Sequence, residues 1–133
     1  MSEVRVAIQR EADIVLARQA GRQLAAQLGF STTDQTLIAT AISEVARNIV
    51  VYAVTGEIVL TRAEDSGRVG IQVQAIDAGP GIDNKELAMR DGYSTKNSLG
   101  LGLPGARRLM DDFSLDSEVG RGTTVIMKKW RAR

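Results

Sequence analysis

The chain has 133 residues, of which 44% are hydrophobic and 25% charged, and this composition predicts one globular domain over residues 1–133. The formal net charge of +1 argues against a nucleic-acid partner, and the absence of cysteine and histidine excludes disulfides, thiolate chemistry and phosphohistidine. We find no signal peptide and no apolar stretch near the roughly 20 residues of a membrane span, so we expect a cytoplasmic protein without membrane partners.

The first part of the chain predicts a strand followed by two helices. Alternating apolar residues over 4–8 indicate a short strand. Apolar residues at helical spacing over 12–28 predict a helix that ends before Gly29. Ser31 is a suitable N-cap for a second helix, which we expect to reach about Tyr52.

The remaining pattern is mostly that of strands. Two strands are expected over 56–62 and 69–77, joined by the turn residues 65–67. The second strand alternates apolar and polar side chains, which predicts one covered and one solvated sheet face and hence a two-layer α/β (α+β) sandwich. The other predicted elements are a short helix over 83–89, a helix whose apolar stripe is Leu103, Ala106, Met110 and Phe113, and a final hairpin of strands over 114–119 and 123–130.

Glu44 and Asn48 form the first candidate functional pair. Their spacing of four residues puts both on one face of the second helix. Asn48 falls at the edge of the apolar stripe and Glu44 just beyond it, where a carboxylate and an amide oxygen would face a cleft. The alternative is a partly exposed polar pair without a function, and Arg47 is expected on the opposite, solvated face.

Asp77 is the second candidate. It continues the apolar row of its strand, so its side chain should point toward the helices, where an unpaired carboxylate is costly and needs a donor. The exocyclic amine of a purine would serve, and Gly79 and Gly81 leave room for a flat ring. The alternative is an Asx turn with Pro80.

Residues 100–105, with the sequence GLGLPG, are the third candidate. They do not fit a dinucleotide-binding fingerprint, which requires a preceding hydrophobic strand, because they follow a polar, aperiodic segment over 90–99. A glycine loop that enters a helix presents free N–H groups to a phosphate. Lys96 would add a positive charge, or is simply a solvated lysine.

In this order the three signals resemble the GHKL ATPase family, over residues 38–126. The resemblance implies a Bergerat fold with a mixed, mostly antiparallel sheet, helices on one face, and ATP and Mg²⁺ as cofactors. It implies that Glu44 and Lys96 are catalytic, with Glu44 the general base, that Asn48 is the metal ligand, and that residues 90–99 form a lid. The residues it assigns to cofactor binding are Asn48, Asp77, Gly79, Gly81, Thr95, Gly100, Leu101, Gly102, Leu103 and Thr123.

One branch of that family is more similar than the others. The segments ISEVARNI, DAGPGI, DGYST and GLGLPGARRLMDDF resemble the serine/threonine switch kinases of the stressosome. The resemblance implies STAS-domain scaffold and antagonist proteins as substrates, and a PPM-type phosphatase regulator as the partner activated after release. The alternatives are an anti-sigma factor kinase that binds sigma directly and a non-catalytic, nucleotide-gated binding module, against which Glu44 argues.

Overall fold

The computed structural model describes residues 3–53, 55–78, 102–118 and 120–132, which form two layers, helices against one face of a sheet. The predicted short helix over 83–89 lies outside the described residues. The elements in chain order are β1 (Val4–Ile8), α1 (Glu11–Gln27), α2 (Thr32–Tyr52), β2 (Gly56–Asp65), β3 (Arg68–Asp77), α3 (Gly102–Leu109), β4 (Asp112–Glu118) and β5 (Gly122–Trp130).

The five described strands form one sheet in the order β1-β2-β3-β5-β4. Every neighbouring pair is antiparallel, which confirms the mostly antiparallel prediction and leaves the described sheet without a parallel pair. The last strand of the chain, β5, lies between β3 and β4. The end of β3 therefore has a strand on both sides, with β2 on one and β5 on the other.

The core lies between the helices and one face of the sheet. On β3, the side chains of Ile71, Val73 and Ala75 are buried, while Gln72 and Gln74 on the opposite face are half-buried. The other strands and α2 contribute Ile58, Leu60, Val125, Met127, Ile38, Ile42 and Ile49 to the same cluster. The predicted one-sided coverage of the sheet is confirmed. None of the described helices is both long and apolar enough to cross a membrane.

The boundary between α1 and α2 follows its local sequence signals. Gly29 has φ +91°, and the Phe30 N–H donates to the Ala25 carbonyl at 3.0 Å, as in a Schellman helix end. The Ser31 hydroxyl accepts a hydrogen bond from the Asp34 N–H at 3.1 Å and caps α2. Both predicted helix boundaries are confirmed.

The end of α3 differs from the prediction. The helix stops at Leu109, and Phe113 belongs to β4 instead of the helical stripe. The Trp130 backbone N–H donates to the Asp111 carboxylate at 2.7 Å, and its indole N–H donates to Asp112 at 2.9 Å. Because these bonds tie the two aspartates to β5, the chain joins the sheet earlier than its apolar spacing suggests.

Candidate functional site

Four residues from four strands lie side by side at one end of the sheet. The register pairs Asp77 with Gly56 of β2 and with Thr123 of β5, and pairs Thr123 in turn with Ser117 of β4. Opposed residues of antiparallel strands share a face, so all four belong to one row. We call Asp77, Thr123 and Ser117 the polar row.

The polar row faces the helices. A Cβ atom at Gly56 would lie 2.9 Å from the Ile49 Cγ2 atom of α2 and 3.0 Å from the Asp77 Cβ atom. One point beside Gly56 therefore touches both the second helix and the candidate aspartate. The register puts Asp77 on the side that its strand alternation predicts, and its side chain is half-buried.

The two hydroxyls of the polar row are buried and hydrogen-bonded. Ser117 and Thr123 are 5% and 6% exposed, and their hydroxyl oxygens are 2.9 Å apart. The Ser117 hydroxyl also donates to the Gly122 carbonyl oxygen at 3.2 Å. Polar groups buried to this degree are costly unless they are hydrogen-bonded, and these contacts give both hydroxyls a partner.

Two glycines keep the surroundings of Asp77 free of side chains. At Gly56 a Cβ atom would come within 2.5 Å of the Ile76 carbonyl oxygen, and at Gly122, where φ is +108°, it would overlap the Asp77 carbonyl oxygen. Neither position has room for a side chain. Gly56 and Ser117 are not predicted as site residues from the sequence, because only the strand register shows that they adjoin Asp77 and Thr123.

Of the predicted pair on α2, Glu44 is more deeply buried than expected. Glu44 is 5% exposed, whereas Asn48 is half-buried, as its place at the edge of the apolar stripe predicts. The helix packs against α3 as well as against the sheet. Both residues lie in the same half of α2 as Ile49, the residue next to the Gly56 position, so this half of the helix adjoins the end of the sheet that carries Asp77.

The prediction that Arg47 is a solvated residue was wrong. Its side chain is 24% exposed, and its guanidinium is 3.5 Å from the Glu11 carboxylate at the start of α1. Its Nε atom is buried and has no hydrogen-bond partner among the described residues. The packing of α1 against α2 covers the face on which Arg47 lies.

The glycine-rich segment is described only from Gly102, the first residue of α3. Leu103 is 3% exposed and belongs to the core. The remaining predicted site residues lie outside the described residues: Gly79, Gly81, Thr95, Lys96, Gly100 and Leu101.

The described residues offer few ligands for a metal ion. They contain no group of three or more His, Cys, Asp or Glu side chains that could hold one.

One known protein family matches nearly the whole chain. The profile of the histidine kinase-like ATPase domain matches residues 8–129, nearly the whole chain. The chain belongs to this family. The resemblance to GHKL ATPases is thereby confirmed, and a histidine kinase-like ATPase domain binds ATP.

Characterised relatives narrow the activity of this ATPase domain. The chain is 52% identical over 125 residues to the serine/threonine-protein kinase RsbT of Bacillus subtilis, covering 94% of both proteins. It is 34% identical over 118 residues to an anti-sigma F factor of Clostridium beijerinckii, covering 85% of this chain and 82% of that protein. High identity over nearly the full length of a protein kinase makes this chain an ATP-dependent protein serine/threonine kinase.

Solved structures support the fold. The mycobacterial sensor histidine kinase MprB superimposes with a TM-score of 0.58 at 13% identity, covering 98% of both chains. A chain of the SiaB–SiaC complex from Pseudomonas aeruginosa superimposes with a TM-score of 0.56 at 13% identity, covering 98% of this chain and 89% of that one. The predicted two-layer fold with helices on one face of the sheet is thereby confirmed.

Proposed function

We propose that this kinase transfers the γ-phosphoryl group of Mg-ATP to a serine or threonine of a STAS-domain scaffold or antagonist protein. After the transfer it leaves that protein and activates a PPM-type phosphatase regulator of a sigma-factor pathway. The observation that carries the proposal is the polar row, which sets a carboxylate and two hydroxyls side by side at one end of the sheet in a chain 52% identical to a serine/threonine-protein kinase.

The adenine ring would lie against the Asp77 end of the polar row. The exocyclic amine of adenine has two N–H donors, and a carboxylate is an acceptor. Asp77 would accept from that amine, and the neighbouring Thr123 hydroxyl would take part directly or through a water. The residue opposite Asp77 on β2 is Gly56, which carries no side chain.

The phosphates would lie along the face of α2 that carries Glu44 and Asn48. The Asn48 amide oxygen would be the protein ligand of Mg²⁺, and the ion when bound neutralises charge on the phosphate oxygens. Glu44, one helical turn away, would accept the proton of the attacking Ser or Thr hydroxyl. Lys96, Thr95, Gly100 and Leu101 keep the roles that the family resemblance implies.

The release step follows from the charge that the product carries. Phosphorylation adds about −1.5 to −2 charges to the acceptor side chain at neutral pH. At a packed contact, such a charge is unfavourable because of desolvation and like-charge repulsion, so the kinase would dissociate from the phosphorylated partner. Release would then require phosphoryl transfer and not only nucleotide binding.

A second candidate function has its own support. The chain is also 34% identical to an anti-sigma F factor. A kinase of that kind would bind a sigma factor directly. The higher identity and coverage of the serine/threonine-protein kinase relative favour the first proposal.

Two isosteric variants test whether Glu44 acts in phosphoryl transfer and Asp77 in ATP binding. Glu44→Gln should keep ATP affinity and lose phosphoryl transfer by about 10²-fold or more, because it removes a general base. Asp77→Asn should weaken ATP binding first, since its amide presents an N–H₂ where the adenine amine needs an acceptor. Measurements are ATP affinity by calorimetry and transfer of labelled phosphate to a partner protein.

A matched control is available on the opposite face of the sheet. Glu57→Gln removes a carboxylate that is 36% exposed and paired with Arg5, a type of ion pair that contributes little to stability. It should change neither measurement. Wild-type transfer rates in Glu44→Gln would show that the base assignment is wrong.

The partner is tested by release. The kinase is immobilised, proteins of a bacterial extract that bind it are collected, and the bound material is treated with Mg-ATP or with a non-hydrolysable analogue. A STAS-domain protein released only by ATP, with phosphate mapped to a Ser or Thr, supports the proposal. Equal release by both nucleotides, or phosphorylation without release, contradicts partner switching.

A further inference from the structure

Arg47 is a neighbour of the proposed general base but has no part in the transfer step. It follows Glu44 by three residues on α2, a spacing that places two side chains next to each other on a helix surface. Its guanidinium lies 3.5 Å from the carboxylate of Glu11, the first residue of α1. Helix α1 begins just after β1, and β1 ends in the row of the sheet that contains Asp77. Arg47 therefore lies at the same end of the molecule as the candidate site.

Glu11 satisfies few of the hydrogen-bond donors of Arg47. A guanidinium has five N–H donors and no acceptor. Among the described residues, the contact with Glu11 is the one hydrogen bond that the Arg47 side chain makes, and at 3.5 Å it is longer than the about 2.7–2.9 Å typical of a charge-assisted bond. The Glu11 side chain is 78% exposed, so water competes for it. The guanidinium can therefore bind another acceptor without losing a strong one.

Burial holds the Arg47 side chain in place although its ion pair is weak. The side chain is 24% exposed, and its Nε atom is buried without a hydrogen-bond partner among the described residues. Partial burial of a charge is unfavourable unless the charge is well paired, so the pair with Glu11 does not account for an arginine at this position through stability. A side chain that is already held also loses less conformational entropy when it binds a ligand. These features favour a role in binding over a role in folding.

We propose that Arg47 is a specificity-determining residue that binds a carboxylate of the protein substrate, carried by an Asp or Glu near the acceptor Ser or Thr. The inference rests on the proposed transfer to a protein hydroxyl with Glu44 as the general base. Side chains three residues apart on a helix have Cβ atoms about 5–6 Å apart, so an acceptor hydroxyl that reaches Glu44 brings its neighbouring residues close to Arg47. A guanidinium binds a carboxylate through two parallel N–H bonds, which fixes the orientation of the bound segment. On binding, the substrate carboxylate takes the place of Glu11.

The test measures KM and kcat for a substrate protein recovered by ATP-dependent release, together with ATP affinity by calorimetry. Arg47→Met removes the charge and keeps an unbranched side chain with good helix propensity. It should raise KM for the substrate protein at least about tenfold, because a hydrogen bond to a charged group contributes at least about that much. The kcat should stay within about threefold of the wild-type value, and ATP affinity should not change. Arg47→Lys keeps the charge but not the planar fork, and its KM should lie between those of the wild type and Arg47→Met.

Glu11→Gln provides a test of opposite sign. Because the substrate carboxylate displaces Glu11, removal of the Glu11 charge should lower KM by about two- to threefold, the range expected for an exposed ion pair. If the Arg47–Glu11 pair were only structural, both variants would break it and would change KM in the same direction. Arg62→Met is the matched control, since Arg62 is 35% exposed, is paired with Glu64 at 2.9 Å and lies at the other end of β2 from Gly56. It should leave KM, kcat and ATP affinity unchanged.

Salt dependence and stability separate a charge contact from a loss of structure. Salt screens charge pairs, so the wild-type KM should rise with NaCl concentration and the Arg47→Met KM should rise less. The urea midpoint of Arg47→Met should equal or exceed that of the wild type, because a long ion pair with an exposed partner contributes little to stability. The loss of substrate binding then occurs in a protein that is folded as well as the wild type.

The outcomes are distinct. An unchanged KM in Arg47→Met overturns the inference, and so does a KM that rises in both Arg47→Met and Glu11→Gln. A lower urea midpoint with unchanged KM would assign Arg47 to folding, and weaker ATP binding with unchanged KM would assign it to the nucleotide. Either result overturns the role in substrate binding. Phosphate transfer to no protein by the wild type removes the proposed function and this inference with it.

Discussion

A glycine in the middle of α1 gives a sharp test of how the two long helices pack. A Cβ atom at Gly21 would overlap the Ile42 Cδ1 atom of α2 and lie 3.6 Å from Ile42 Cγ1. Glycine inside a helix is otherwise less stable than alanine by about 0.5–1 kcal/mol. Its presence here therefore indicates that the space belongs to the Ile42 side chain.

The expected magnitudes follow from these contacts. In Gly21→Ala the overlap should cost about 1–3 kcal/mol and outweigh the gain in helix propensity. Ile42→Val deletes the Cδ1 atom from a fully buried side chain, which typically costs about 0.5–1.5 kcal/mol. In the double variant the new methyl group occupies the space that Cδ1 leaves. The double variant should then lie within about 1 kcal/mol of the wild type, with a coupling energy of about 1–3 kcal/mol.

The assay is equilibrium unfolding in urea. The single tryptophan, Trp130, is held by the Arg68 guanidinium 4.3 Å from its ring centre and reports by fluorescence, while circular dichroism reports on the helices. Ile38→Val is the matched control, because Ile38 is equally buried in α2 and is not among the nearest contacts of a Gly21 Cβ atom. If the Gly21→Ala and Ile42→Val losses add to within about 0.5 kcal/mol, or if Ile38→Val rescues equally well, the packing argument is refuted.

Two more substitutions test the site and a helix end. Gly56→Ala should destabilise the protein by about 1–3 kcal/mol and also weaken ATP binding, because the new methyl group would press on the Ile76 carbonyl oxygen and on Asp77. Unchanged ATP affinity in the folded variant would argue against a ligand beside Gly56. Gly29→Ala should lower the free energy of unfolding by about 1–2 kcal/mol, because Gly29 has φ +91°. Gly29→Asn should lower it less, since asparagine tolerates this conformation. Equal unfolding midpoints for the two variants would contradict the role of backbone conformation.

Local periodicity and end signals are enough to predict most elements. Gly29 and Ser31 set the boundary between α1 and α2, and the alternation along β3 predicts a sheet covered on one face. These features depend on residues a few positions apart, and helix and strand geometry alone determines how such residues are placed. For the same reason, the four-residue spacing of Glu44 and Asn48 is sufficient to put them on one helix face.

Only the tertiary structure shows the features that depend on contacts between residues far apart in the chain. The insertion of β5 between β3 and β4 brings Thr123 beside Asp77 and Ser117, and no local pattern encodes that strand order. Glu44 is buried more deeply than its place on the helix predicts. Phe113 lies in a strand whose start is tied to β5 by hydrogen bonds from Trp130 to Asp111 and Asp112. The side-chain period is a property of one helix or strand, whereas its register and burial depend on the neighbouring elements. The sequence therefore specifies the candidate residues, and only the fold specifies which of them lie side by side.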